Sequence, residues 1–147
     1  MTRSTRDLDA VFLPTDVVRA AASALAERHA LPADWLNDAV KGFLPGPDPA
    51  ATRYFEANHL AVDVASAEYL LAMKLFAARV EADAEDIAFL YRKLGYTTVS
   101  EGLDLVQSVY RGRPIDAKVQ FLLEEIVDSL HDDSDDSDDT AQGGDSA

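Results

Sequence analysis

The 147 residues contain no cysteine, so neither a disulfide framework nor a thiolate metal site can form. That suits a reducing compartment, and a cytoplasmic setting is expected. Long apolar runs are also missing. No stretch approaches the roughly 18 uninterrupted apolar residues of a membrane-spanning helix, so no membrane partner is expected. The first ten residues, MTRSTRDLDA, carry positive charge at Arg3 and Arg6 but lead into no apolar run and do not read as a secretory signal. Positive charge is scarce, with 13 Lys and Arg against 27 Asp and Glu and a net charge of −14. Non-specific nucleic-acid binding needs a basic face, so this balance opposes it. There is no Gly-rich phosphate loop, no dinucleotide fingerprint and no G-x-S-x-G nucleophile elbow. His29, His59 and His131 show no metal-ligand spacing.

What is present fits one domain. With 48% hydrophobic residues the chain can build a core, and the expected domain spans residues 1–130. The remainder, residues 131–147 (HDDSDDSDDTAQGGDSA), holds seven aspartates and no Lys or Arg, leaving −7 on the rest. With almost nothing apolar to bury, this segment is expected to be a disordered acidic tail.

Along the chain, TRDLDAVF (residues 5–12) alternates as a strand should. Residues 15–30 are alanine-rich, with Thr15 as N-cap and Asp16 at the positive end of the dipole, and predict a helix. A second helix is expected from Pro32, carrying Trp35, Leu36, Ala39 and Val40 at helical spacing until Gly42 and Pro45. After a Pro/Gly loop at 45–49, residues 58–66 alternate, with Leu60, Val62 and Val64 on one face and Ala61 and Asp63 on the other. Ser66 then caps AEYLLAMKLFAARV. A further helix is expected from Asp83 to a stop at Gly95, another from Ser100, and a last one near residues 115–130 with a stripe of Phe121, Leu122, Ile126 and Leu130. The order predicts an α+β fold: a small mixed sheet packed on helices, with a helical C-terminal half.

Four residues are candidates for chemistry. On a strand, residues i and i+2 share a face about 6–7 Å apart. Asp7 and Asp9 would therefore project together beside Val11, with Leu8, Ala10 and Phe12 toward a core. Two carboxylates so placed can reach one Mg²⁺, because hard cations prefer oxygen. The bland reading is the solvated face of an edge strand. Asp63, inside an apolar strand, could supply a third carboxylate as metal ligand or general base, or simply face solvent. Lys74 lies on a helix that is apolar nearly all round, so burial calls for an anionic partner: a triphosphate or the aspartates. Asp83 and Asp86 read first as helix-start residues, and second as groups that position Lys74 or Arg79. Arg111 and Arg113 form a local basic patch that an RNA acceptor could approach, though capping and charge balance around Pro114 is the simpler role.

Taken together, TRDLDAVF, LPADWLNDAVKGFLP, EYLLAMKLFAAR and DAEDI resemble a group of small bacterial nucleotidyltransferase-like proteins. That group is distantly related to the abortive-infection toxins of the AbiEii type, and the similarity covers roughly residues 5–128. The resemblance implies a polymerase-β-type core that uses Mg²⁺ to transfer a nucleotidyl group from a nucleoside triphosphate (NTP). Asp7 and Asp9 match its metal-binding acids, Asp63 the third, and Lys74, Asp83 and Asp86 the lysine and aspartates of the helical half. It also implies a toxin–antitoxin setting with a cognate protein partner. The family's Gly-Gly or Gly-Ser element, which lets backbone approach a triphosphate, has no counterpart before Asp7. The expectation is a truncated form: either the start is wrongly placed and about two elements are missing, or a natural short form lacks one sheet strand and half of its phosphate grip. The alternative function is a catalytically inactive short form that binds or regulates another protein, or pairs with itself, through the sheet edge so exposed.

Overall fold

The computed structural model describes residues 7–77 and 79–138. Its elements run β1 (Leu8–Asp9), α1 (Thr15–His29), β2 (Leu36–Asn37), a 3₁₀ turn (Ala39–Gly42), β3 (Thr52–Ala57), β4 (Leu60–Val64), α2 (Ala67–Ala77), α3 (Val80–Leu94), α4 (Val99–Val109) and α5 (Ala117–Asp138). This is an α+β fold with a helical C-terminal half. Contacts divide the chain into two compact units, Met1–Leu44 and Pro45–Ala147.

In the first unit β1 and β2 pair in parallel, Leu8 opposite Leu36 and Asp9 opposite Asn37, with α1 as the crossover between them. Backbone bonds from Leu8 N to Trp35 O (2.7 Å) and from Ala10 N to Asn37 O (2.9 Å) hold the register. The expected strand over residues 5–12 shrinks to two paired residues, and residues 5 and 6 lie outside the described set. The helix expected from Pro32 is not formed. Leu36 and Asn37 serve as β1's partner strand, and only a 3₁₀ turn follows. Trp35 decides this locally: its indole N–H donates to Ala22 O of α1 at 3.0 Å, which fixes the chain beside the helix. Arg19 of α1 adds a two-pronged pair with Asp38, at 3.0 and 3.2 Å. Pro14 occupies the N-cap position of α1 and Thr15 its first turn, where the Thr15 hydroxyl donates to Phe12 O. Among the described residues of this unit only Ala22 and Ala26 are buried, whereas Leu8, Val17, Leu25 and Phe43 are exposed.

The second unit holds the core. Leu71, Leu75, Ile87, Tyr91, Val106, Tyr110, Val119 and Leu123 are fully buried, each worth about 1.5–3 kcal/mol of apolar transfer. Helix α2 packs on α3 and α4, and α5 packs on α3 and α4. Ser66 caps α2 as expected, its hydroxyl accepting from Tyr69 N at 3.2 Å. Helix α3 begins at Val80, so Asp83 is a first-turn residue and not its N-cap; Gly95, at φ 69°, ends it. Thr98, not Ser100, caps α4 through a reciprocal box with Glu101. On α5 the buried stripe is Val119, Leu122, Leu123, Ile126 and Val127, while Phe121 is 69% exposed. This helix runs to Asp138, eight residues into the segment expected to be a disordered tail. Residues 139–147 lie outside the described set.

The antiparallel β3–β4 hairpin is exposed along its whole length. The register pairs Arg53 with Asp63, Phe55 with Val62 and Ala57 with Leu60, with an irregularity at Tyr54. The cross-strand register, shifted between Arg53 and Phe55, collects Phe55, Leu60, Val62 and Val64 on one face and Arg53, Glu56 and Asp63 on the other.

Candidate functional site

Asp7 and Asp9 flank Leu8 at the start of the β1–β2 pair, and all three are exposed. Their spacing keeps the two carboxylates on the side opposite Leu8. Leu8 itself does not face a core, contrary to the simple alternation reading. Asp9 makes no hydrogen bond or ion pair among the described residues. Its partner across the ladder, Asn37, turns its side-chain oxygen to Ala39 N at 3.1 Å. The next carboxylate along, Asp38, is committed to Arg19.

Asp63 is not on a strand paired with β1. It sits on β4, whose ladder is with β3, and its carboxylate accepts from Arg53 Nε at 2.5 Å. Arg53 also donates to Glu56 at 2.9 Å. Alternation located Asp63 on the polar face of its strand, but β3 with its arginine was missed. The run TRYFEA carries that signal in its β-branched and aromatic residues.

Lys74 does find anionic partners. Its Nζ lies 2.7 Å from Asp83 Oδ1 and 2.8 Å from Asp86 Oδ2, with 27% of its side chain exposed against 7% for Asp83. Arg79 Nε approaches the other Asp83 oxygen at 3.4 Å, yet that atom is buried and has no hydrogen bond. The cluster forms because α3 follows closely on α2, bringing its first two turns beside the last turn of α2. Burial pulls the Lys74 ammonium pKa down, but hydrogen bonds and charge from Asp83 and Asp86 outweigh it and leave the pKa raised. Both carboxylates favour the protonated amine, so Lys74 is a held cation and not a base.

A second polar network ties the Pro/Gly loop to α2. Asp48 accepts from Ser66 N at 2.6 Å and from the Ser66 hydroxyl at 3.2 Å. The Tyr69 hydroxyl donates to Gly46 O at 2.5 Å. Burial pushes the Tyr69 phenol pKa up and nearby Asp48 adds to this, the Gly46 bond opposing. Asp48 and Tyr69 read in sequence as loop and core residues, and nothing local marked them as a pair.

Among the described residues no group of three or more His, Asp or Glu side chains is placed to hold a metal ion. No helix among them is long and apolar enough to cross a membrane. Comparison with family models, curated proteins and solved structures returned no match to this chain.

Proposed function

We propose that the protein is a Mg²⁺-dependent nucleotidyltransferase-like domain that binds an NTP through Asp7 and Asp9. The observation that carries this reading is the carboxylate pair beside β1, with Asp9 open to a ligand. Magnesium is commonly held by only one or two carboxylates, with water and substrate phosphates filling the other positions. A two-carboxylate site therefore suits a metal that arrives with its triphosphate. The bound metal would neutralise charge on the transferred group. The resemblance of the four sequence stretches supplies the reaction class and the toxin–antitoxin context, and the absence of cysteine supports a cytoplasmic setting. The roles it gives Asp63 and Lys74 require each to exchange an existing ion pair, Asp63 with Arg53 and Lys74 with Asp83 and Asp86.

Calorimetry with the four NTPs, with and without Mg²⁺, tests the reading. Binding is expected only with the metal, and is expected to weaken at least about tenfold in Asp7→Ala/Asp9→Ala. Equal binding in both proteins, or none in either, would overturn it.

The hairpin favours a second reading, in which the chain binds or regulates a protein partner. An isolated two-stranded ribbon is marginal in water, and this one exposes Phe55, Leu60 (52%), Val62 and Val64 on one face. A photo-crosslinking amino acid in place of Tyr54, which is 78% exposed, is expected to give a discrete adduct in cells where the same group at Gln120 gives none. Light scattering on the purified chain tells a homodimer from a different partner. No adduct at position 54 would remove this reading.

A further inference from the structure

We infer that the turn after α4 forms a binding site for a compact oxyanion, gripped by Arg111 and Arg113. A shallow cavity of about 260 Å³ opens there, lined by Pro45, Ser108, Val109, Tyr110, Arg111 and Arg113. That volume suits a phosphate or carboxylate group with a few attached atoms.

The backbone places both arginines at this cavity. The chain turns back at Gly112, whose φ of 72° lies in the left-handed region, and Arg113 N donates to Tyr110 O at 3.1 Å. Phe76 and Tyr110 stack with centroids 4.0 Å apart and planes within 6°. The Arg113 guanidinium lies 5.7 Å from the Phe76 ring centroid and 6.0 Å from that of Tyr110. Ring contact of this kind orients the planar group while consuming none of its N–H donors. On the other wall the loop that carries Pro45 is fastened to α2 through Tyr69 to Gly46 O and Asp48 to Ser66.

What marks the pair is that both line one cavity while lacking a carboxylate partner, which Arg28 of α1 also lacks among the described residues. Arg19, Arg53, Arg79 and Arg92 all meet an aspartate. Arg111 and Arg113 meet no carboxylate among the described residues, in a chain with twice as many acids as bases. Arg111 spends its Nε–H on Ser108 O at 3.3 Å, offsetting the carbonyl end of α4. Four of its five donors remain, together with all five of Arg113. Two guanidinium forks on one cavity match the paired oxygens of a phosphate or a carboxylate. The net charge of −14 opposes an anion only at long range, and at physiological salt it is screened beyond about 8 Å.

Titration of the full chain with inorganic phosphate, and separately with acetate, followed by amide NMR at physiological salt, tests the site. Saturable shifts are expected at residues 108–113, weakened at least about tenfold in Arg111→Gln/Arg113→Gln and unchanged in Arg92→Gln. Tighter binding of phosphate assigns a phosphorylated ligand, and tighter binding of acetate a carboxylate; both orders support the site. Shifts of equal affinity in all three proteins, or none through millimolar concentrations, would overturn it. Both arginines are exposed, so folding of the double variant is expected to be intact, and circular dichroism checks it. Asp7 and Asp9 take no part, so failure of this test leaves the nucleotide reading standing, and the converse holds.

Discussion

Replacing Gly102 with alanine should destabilise the second unit, although it puts the best helix former in place of one of the worst. Gly102 lies inside α4, where exchange to alanine ordinarily gains about 1 kcal/mol. Here the new Cβ would overlap the Tyr91 hydroxyl oxygen and come within 3.0 Å of Tyr91 Cζ and 2.9 Å of Leu123 Cδ1. Both neighbours are fully buried, so neither can swing into solvent. Displacing the Tyr91 ring also lengthens its hydroxyl contact with Thr98 O, already 3.4 Å. Overpacking of this kind costs about 3 kcal/mol at the upper end of its usual range. Set against the gain in propensity, the net loss is about 2 kcal/mol, or a fall in Tm of about 6 °C for a chain of this size. Urea and thermal unfolding followed by far-UV circular dichroism measure it. The companion variant Gly102→Ala/Tyr91→Phe, which removes the overlapping oxygen, should recover part of the loss. Stability of Gly102→Ala equal to or above the wild type would refute the packing argument.

Three other expectations rest on single contacts. Lys74→Met leaves the Asp83 carboxylate buried without its ammonium, and a loss of about 2 kcal/mol is expected, below the usual cost for a fully buried pair because Lys74 is partly exposed. The Lys74 pKa is raised on folding, so its contribution is complete below 10.5 and disappears as pH rises through the folded value above it. Urea titrations should therefore show a constant gap between wild type and variant up to about pH 10, narrowing beyond; a gap that widens there refutes the pairing. Glu101 is held below its usual carboxylate pKa by hydrogen bonds from Thr97 N and from the Thr98 hydroxyl and N. Its contribution is thus present above 4.5 and lost as pH falls through the lowered value, so Glu101→Gln should unfold less steeply in acid than the wild type. Ala30 closes α1 in the left-handed region at φ 51° with Leu31 N bonded back to Ala26 O. Ala30→Gly should remove about 1 kcal/mol of strain and raise hydrogen-exchange protection in α1; lower protection would contradict it.

The local signals in the sequence located five helices that form, though not every cap. Alanine content and the dipole-matched ends located α1, Ser66 opened α2, Gly95 closed α3, and the apolar spacing of Leu122 and Ile126 oriented α5. Each of these is an interaction within about five residues, so composition and spacing suffice to expose it. The same locality explains the candidate-site residues that were legible. Asp7 and Asp9 share a strand face, Asp63 stands on the polar side of β4, and Lys74 lies on a helix too apolar to leave it unpaired.

Tertiary structure decided everything that needed a distant partner. The segment after Pro32 has helical spacing, yet it became the second strand of a parallel pair because β1 and the Trp35 bond to α1 claimed it. Lys74 had either a ligand or a carboxylate open to it in sequence, and the first two turns of α3 supplied two carboxylates. Asp63 was legible as a polar-face residue, but its pairing with Arg53 came from a strand the alternation did not reveal. Gly102 reads as a weak point in a helix until Tyr91 and Leu123 are packed against it. A helix satisfies its backbone within itself, so its sequence carries the information to form it. Strand pairing, ion clusters and close packing are satisfied only by residues far along the chain, and their outcome belongs to the fold as a whole.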